Sequence, residues 1–112
     1  MSDKLKLGDT LDRLFATIES RQGSDPKGSY TADLLNSGHE RCAKKFGEEA
    51  VEAAIAGAIK DREGLAQEAA DALYHLLVLM ASCDVSPSDV ASILTARAGT
   101  SGHDEKATRK KP

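Results

Sequence analysis

The sequence predicts an all-α fold, a bundle of four main helices. Alanine and leucine dominate the apolar residues, and both favour helices over sheets. In several stretches apolar residues recur three and four positions apart, which is the spacing of one helix face. No stretch alternates between apolar and polar residues as a half-buried strand would.

The chain has 112 residues, which is the size of one domain with a small core. Pairing of subunits through helices is therefore a reasonable expectation. The composition is 40% hydrophobic and 29% charged, which is typical of a globular protein. The net charge of −3 excludes a global basic field of the kind that binds nucleic acid or membrane surfaces.

The first ten residues, MSDKLKLGDT, lack the apolar segment of a signal peptide, and no run approaches the length of a membrane span. Cys42 and Cys83 are too few for a disulfide framework and have no zinc-ligand spacing. We expect free thiols and a cytoplasmic location.

Two helices are predicted in the first third of the chain. Asp9 is placed to cap the first, whose apolar face comprises Leu11, Leu14, Phe15 and Ile18. That helix should end near residues 20–28, which are rich in glycine, proline and other turn formers. Ser29 opens a short helical segment that stops at Gly38.

Three more helices follow. A long helix over residues 39–60 should carry a core stripe of Val51, Ile55, Ala58 and Ile59. Asp61 is placed to cap the next helix, over residues 63–82, which is apolar on nearly every face and should be the most buried. Ser86, Pro87 and Asp89 form a strong start signal for a short last helix.

The domain is predicted to span residues 1–98. Residues 99–112 are polar and lack periodicity, which predicts a disordered tail.

Acidic residues are concentrated on the two long helices. Glu49 and Glu52 share a helix face, as do Glu48 and Glu52, and Glu68 and Asp71 form a matching pair on the next helix. Because the two helices are joined by a short turn near residues 60–62, they should run antiparallel and place both pairs at a similar depth. The carboxylates should therefore converge between the helices.

Clustered carboxylates repel one another and resist desolvation unless a cation offsets their charge. All-oxygen ligation points to Mg²⁺, or Mn²⁺, and Mg²⁺ commonly shares its coordination with substrate phosphates. The alternative is a solvated face in which Glu48 and Glu49 pair with Lys44 and Lys45. This alternative fits Asp71 poorly, because its helix is apolar and we expect it to be buried there.

The pattern E-x-x-E, fifteen residues, E-x-x-D (Glu49, Glu52, Glu68, Asp71) resembles the MazG-like superfamily of all-α nucleoside triphosphate pyrophosphohydrolases. Within that superfamily, residues 28–35 (GSYTADLL), 44–52 (KKFGEEAVE) and 68–80 (EAADALYHLLVLM) are similar to the phosphoribosyl-ATP pyrophosphohydrolases of histidine biosynthesis. The similarity extends from about Leu11 to the ILTARAG segment at 93–99.

The resemblance implies Mg²⁺-dependent hydrolysis of 1-(5-phosphoribosyl)-ATP to the AMP derivative and pyrophosphate, the second step of histidine biosynthesis. It also implies the MazG-like fold and a homodimer or higher assembly with sites near the subunit interface. No cyclohydrolase domain is fused to this sequence, so we expect the next step of the pathway to reside on another chain.

By resemblance, Glu49, Glu52, Glu68 and Asp71 hold the metal. The residues predicted to take part in catalysis are Glu48, Glu49 and Glu52. Among them, Glu48 is the candidate for an outer ligand or for the base that orients water.

The predicted substrate contacts have structural alternatives. Lys44 and Lys45 lie one turn before the glutamates and either reach phosphates or are ordinary solvated lysines. Ser29, Tyr30 and Thr31 match the family motif and either bind substrate or form a helix cap with a packed tyrosine.

Two further residues have open assignments. Arg97 is a candidate contact for the 5′-phosphate, or an exposed arginine at a helix end. His75 shares a face with Asp71 and is either a ligand or a core or interface histidine.

Two rival functions remain open from the sequence. One is a related enzyme that removes noncanonical nucleoside triphosphates, and the other is a non-catalytic helical dimerisation module.

Overall fold

The computed structural model describes residues 5–99, and all regular structure in that range is helical. The helices are α1 (Leu7–Ser20), α2 (Tyr30–Ser37), α3 (His39–Ala58), α4 (Arg62–Ser82) and α5 (Pro87–Arg97), with a 3₁₀ turn at Pro26–Gly28. The predicted all-α fold is confirmed. The predicted tail lies, except for Gly99, outside the described residues.

Side-chain caps define the helix starts at three of the predicted places. The Ser29 hydroxyl accepts a hydrogen bond from the Ala32 amide, and the Asp61 carboxylate accepts one from Gly64. Ser86 and Asp89 cap each other's amides at the start of α5.

The prediction for Asp9 is wrong. Helix α1 begins at Leu7, three residues earlier than a cap at Asp9 would allow, and Asp9 lies in its first turn. A carboxylate in the first turn interacts favourably with the positive end of the helix dipole, so acid near a helix start does not by itself identify the cap.

Helices α3 and α4 form an antiparallel hairpin, which is the most extensive helix contact in the described residues. A short turn joins them, in which Lys60 adopts a left-handed conformation with φ of 59°. Cys42 and Ala56 are the buried residues of α3. Both cysteines of the chain are free thiols, as predicted.

The core lies where the C-terminal half of α4 meets α1, α2 and the start of α3. Its buried members are Phe15, Ile18, Leu34, Cys42, Leu77, Val78, Met80 and Ala81. As predicted, α4 contributes more buried residues than any other described helix.

The prediction of a core stripe on α3 is wrong for this chain. Val51, Ile55, Ala58 and Ile59 are all exposed, with Ile59 70% accessible. The pattern correctly identifies an apolar helix face, but the face points away from α4. Periodicity shows that a face is apolar and says nothing about which surface covers it.

A second apolar surface is a groove of about 570 Å³ between α1, α4 and α5. Its walls include Leu11, Leu73, Leu76, Val90 and Leu94. Val90 and Leu94 are also among the exposed large hydrophobic residues.

Among the described helices, none alone combines the length and apolar composition needed to cross a membrane. Only α4 and α5 taken together meet that test, and they are bent by 109° at the break between them.

Candidate functional site

Three of the four predicted metal ligands meet at one point of the α3–α4 hairpin. One carboxylate oxygen from each of Glu49, Glu68 and Asp71 lies within 4.8 Å of the other two. Glu49 comes from α3 and the other two residues come from α4, so the antiparallel packing of the hairpin creates the group. We call these three residues the carboxylate group.

The carboxylate group is electrostatically unfavourable without a cation. Burial raises the pKa of Glu68, and the negative charges of Asp71, Glu49 and Glu52 raise it further. Glu52 thus lies outside the tight group but close enough to act on it. The four predicted acids form one negative region on the hairpin.

The prediction that Asp71 is buried is wrong, since its side chain is exposed, whereas Glu49 and Glu68 are half-buried. Along α4 the first fully buried residue is His75, one turn after Asp71. The apolar neighbours of Asp71 in the sequence therefore do not enclose it.

Glu48 pairs with a lysine on its own helix, whereas Glu49 faces the acidic residues of α4. Its carboxylate forms an ion pair with Lys45 one turn earlier, with 3.3 Å between the charged atoms. The hydrogen bond with Glu48 raises the pKa of Lys45, and the negative charges of Glu48 and Glu49 act in the same direction. Lys44 is exposed on the same helix.

The start of α2 approaches this region from the side. Ser29 caps the helix, and the Thr31 hydroxyl shares a hydrogen bond with the Tyr74 hydroxyl on α4. Tyr30 is 52% exposed, with its ring in contact with His75, so it is only partly packed. Ser29 and Thr31 have structural roles, which neither require nor exclude contact with a substrate.

His75 is buried beside these residues, with 7% of its surface accessible. Its ring meets the rings of Tyr30 and Tyr74 edge to face, with centroids 6.2 and 4.9 Å away. Its Nδ1 atom has no hydrogen-bond partner among the described residues. Burial lowers the pKa of His75 and Lys45 adds to this, while Glu49, Asp71 and Glu48 oppose it.

Sequence reasoning missed Tyr74. It adjoins His75 in the chain, but 43 residues separate it from Thr31, and no spacing rule links two hydroxyls so far apart. Arg97 lies in the last turn of α5, which packs chiefly against α1. The structure thus brings Glu49, Glu68 and Asp71 together, with Glu52 near them and the start of α2 beside the region. The Lys45–Glu48 pair and exposed Lys44 lie on the same helix as Glu49, whereas Arg97 lies on another helix.

The sequence profile of the family described as phosphoribosyl-ATP pyrophosphohydrolase matches residues 11–98, which is most of the chain. The chain belongs to this family. The match includes the carboxylate group, both lysines and the whole α2 segment.

Several curated relatives in the phosphoribosyl-ATP pyrophosphohydrolase family are named phosphoribosyl-ATP pyrophosphatase. The protein from Jannaschia sp. (strain CCS1) is 60% identical over 99 residues, covering 88% of this chain and 97% of its own. One from Cereibacter sphaeroides (strain ATCC 17029 / ATH 2.4.9) is 59% identical, with 88% and 96% covered. One from Paracoccus denitrificans (strain Pd 1222) is 57% identical, with 89% and 93% covered.

Proposed function

We propose that this protein is a Mg²⁺-dependent hydrolase that converts 1-(5-phosphoribosyl)-ATP to 1-(5-phosphoribosyl)-AMP and pyrophosphate. This reaction would serve the second step of histidine biosynthesis in the cytoplasm. The observation that carries the proposal is the carboxylate group on the α3–α4 hairpin. The substrate is supported by the names of relatives that match nearly the whole chain.

The donor set suits a hard divalent cation. It consists of carboxylate oxygens from three side chains. Burial and then the neighbouring negative charges raise the pKa of Glu68, and a cation would offset those charges. Mg²⁺, or Mn²⁺ in its place, would neutralise the polyphosphate and lower the pKa of a bound water.

The side chains would divide the work as follows. Glu49, Glu68 and Asp71 hold the cation, and Glu52 adds negative charge at the edge of the group. Lys45 stays cationic beside Glu48 and offers a point charge to a substrate phosphate, a role that exposed Lys44 can share.

The remaining polar residues are given narrower roles. Glu48 is the candidate for orienting the attacking water, with Lys45 fixing its carboxylate. Ser29, Tyr30 and Thr31 form the side of the site nearest α2 and are proposed to contact substrate. Arg97 remains a candidate for the 5′-phosphate.

The assignment is tested by pyrophosphate release from 1-(5-phosphoribosyl)-ATP, measured beside a panel of canonical and noncanonical nucleoside triphosphates, with and without Mg²⁺. We expect a clear preference for 1-(5-phosphoribosyl)-ATP and no turnover without a divalent cation. Preference for a free nucleotide would favour the noncanonical-nucleotide enzyme. Absence of turnover, with no effect of Mg²⁺ on the melting temperature, would favour the dimerisation module.

We further propose that the protein works as a homodimer, in which a second copy covers the α3 stripe and the groove. The chain outside the described residues is polar and unsuited to an apolar surface. The match covers 97% and 96% of two relatives, so those relatives have no additional domain that could cover these apolar surfaces. A two-fold pair would bury both surfaces in both copies at once.

Ile55→Glu is expected to leave the subunit folded, since Ile55 is 53% exposed in the single chain, and to convert the dimer to monomers. Light scattering coupled to size-exclusion chromatography reads the mass directly. Arg13→Glu, at an exposed position on the side of α1 opposite the groove-lining Leu11, is the control and should keep the dimer mass. A dimer mass for Ile55→Glu at low micromolar concentration would show that the stripe is not the interface.

A further inference from the structure

We infer that Tyr30 is the contact for the purine ring of the nucleotide held at the carboxylate group, and that His75 positions the Tyr30 ring. This inference rests on the proposed function, because it assigns the base-binding part of the same site.

Among the phenylalanine and tyrosine rings of residues 5–99, Tyr30 is the exposed one and is therefore the best placed for stacking. The chain has two phenylalanines, two tyrosines and no tryptophan, and all four rings lie in the described residues. Phe15 is buried, Phe46 and Tyr74 are half-buried, and Tyr30 is 52% exposed. Purine bases bind to exposed aromatic faces because stacking removes two flat apolar surfaces from water.

The place of Tyr30 suits a base rather than a phosphate. Its ring meets that of His75, which lies one helical turn beyond Asp71, or about 6 Å along the axis of α4. Tyr30 also lies close enough to Lys45 on α3 to contribute to the raised pKa of that lysine. Tyr30 thus borders the carboxylate group without joining it, as a contact for the base of a nucleotide whose phosphates are held there would.

The burial of His75 is hard to explain by packing alone. A phenylalanine would fill the same space without enclosing a nitrogen that lacks a partner, as the Nδ1 atom of His75 does. The rings of Tyr30 and Tyr74 both meet the imidazole, and Tyr74 is in turn held by Thr31. This chain of contacts fixes the Tyr30 ring before ligand arrives, which lowers the ordering cost of stacking.

The test compares a ligand with a base and a ligand without one. Calorimetric titrations in Mg²⁺ would use a nonhydrolysable ATP analogue and inorganic tripolyphosphate, with the full-length protein and its variants. Tyr30→Ala should lower the affinity for the ATP analogue roughly 5- to 150-fold, the range for losing one base–aromatic stack. It should leave the affinity for tripolyphosphate unchanged. Tyr30→Phe keeps the ring and should bind both ligands as the unmodified protein does. Asn36→Ala, exposed at the far end of α2, is the control.

Several results would overturn the inference. Unchanged affinity of Tyr30→Ala for the ATP analogue would show that Tyr30 does not stack on the base. Equal weakening of both ligands would mean that Tyr30 acts on the phosphates. A loss of dimer mass in Tyr30→Ala would assign the ring to the subunit interface instead.

The positioning role of His75 is tested in a double-mutant cycle on the affinity for the ATP analogue. His75→Asn should lower the affinity for the ATP analogue when Tyr30 is present and should have no effect on it in the Tyr30→Ala background. Equal losses in both backgrounds would show that His75 does not act through Tyr30. These titrations do not depend on which nucleotide is hydrolysed, so a failure of the proposed function would appear in the pyrophosphate assay alone.

Discussion

Replacing Glu68 with glutamine is expected to lower kcat/KM by roughly 10²–10³-fold, the scale of removing one group that stabilises developing charge. Burial raises the pKa of Glu68, and the negative charges of Asp71 and Glu49, the other two members of the carboxylate group, raise it further. Glutamine keeps the shape of the side chain and removes the charge that would hold the cation. The loss should therefore appear in turnover while the fold is retained.

The same substitution is expected to stabilise the metal-free protein. A carboxyl whose pKa is raised on folding binds protons more readily in the folded state than in the unfolded chain. Its charge therefore costs stability at neutral pH, and that cost disappears as pH falls through the raised pKa toward the ordinary value of 4.5. The advantage of Glu68→Gln over the unmodified protein should be greatest near pH 7–8 and shrink on acidification.

These two effects separate function from folding. Steady-state pyrophosphate release and metal-free thermal unfolding between about pH 5 and 8 would be measured in parallel. Glu63→Gln is the matched control, because Glu63 is an exposed glutamate in the first turn of the same helix. Undiminished turnover in Glu68→Gln would refute the metal site, and a loss of metal-free stability would contradict the electrostatic account.

Leu34→Ala is expected to cost about 2–5 kcal/mol of unfolding free energy, the range for truncating a fully buried leucine. Leu34 is completely inaccessible, and its carbonyl accepts a hydrogen bond from the Cys42 thiol at 3.4 Å. Helix α2 has only eight residues, so it depends on such packing for its stability. The variant should also lose affinity for nucleotide, because α2 presents Tyr30 to the site.

Urea unfolding of the two leucine variants would measure this cost. Leu7→Ala makes the same chemical change at a position that is 61% exposed and should shift the free energy of unfolding by less than about 0.5 kcal/mol. Similar losses at both positions would mean that α2 does not form part of the core.

Most of the fold could be predicted because its helix boundaries are encoded locally. Ser29, Asp61 and Ser86 each bond an amide within three residues, so the signal and the structure lie in the same short stretch. The exposure of Ile55 and Ile59 could not be predicted in this way. It depends on which face of α3 meets α4, a long-range choice that a helical repeat leaves open.

The carboxylate group could also be predicted, because its position depends on local features of the sequence. Glu49, Glu68 and Asp71 lie on consecutive helices, and a short turn sets their relative height. The exposure of Asp71 and the hydrogen bond between Thr31 and Tyr74 could not be predicted from the sequence. They follow from how far along α4 the other helices extend, which local spacing does not encode.

The hairpin of α3 and α4 has a consequence for the order in which this protein folds. Contacts between neighbouring segments of chain close small loops, and such contacts form faster than those between distant segments. The acidic side chains are thus brought together early, before α1 closes over the far half of α4. Their mutual repulsion would oppose early formation of the hairpin, so we expect a divalent ion present during refolding to speed this step.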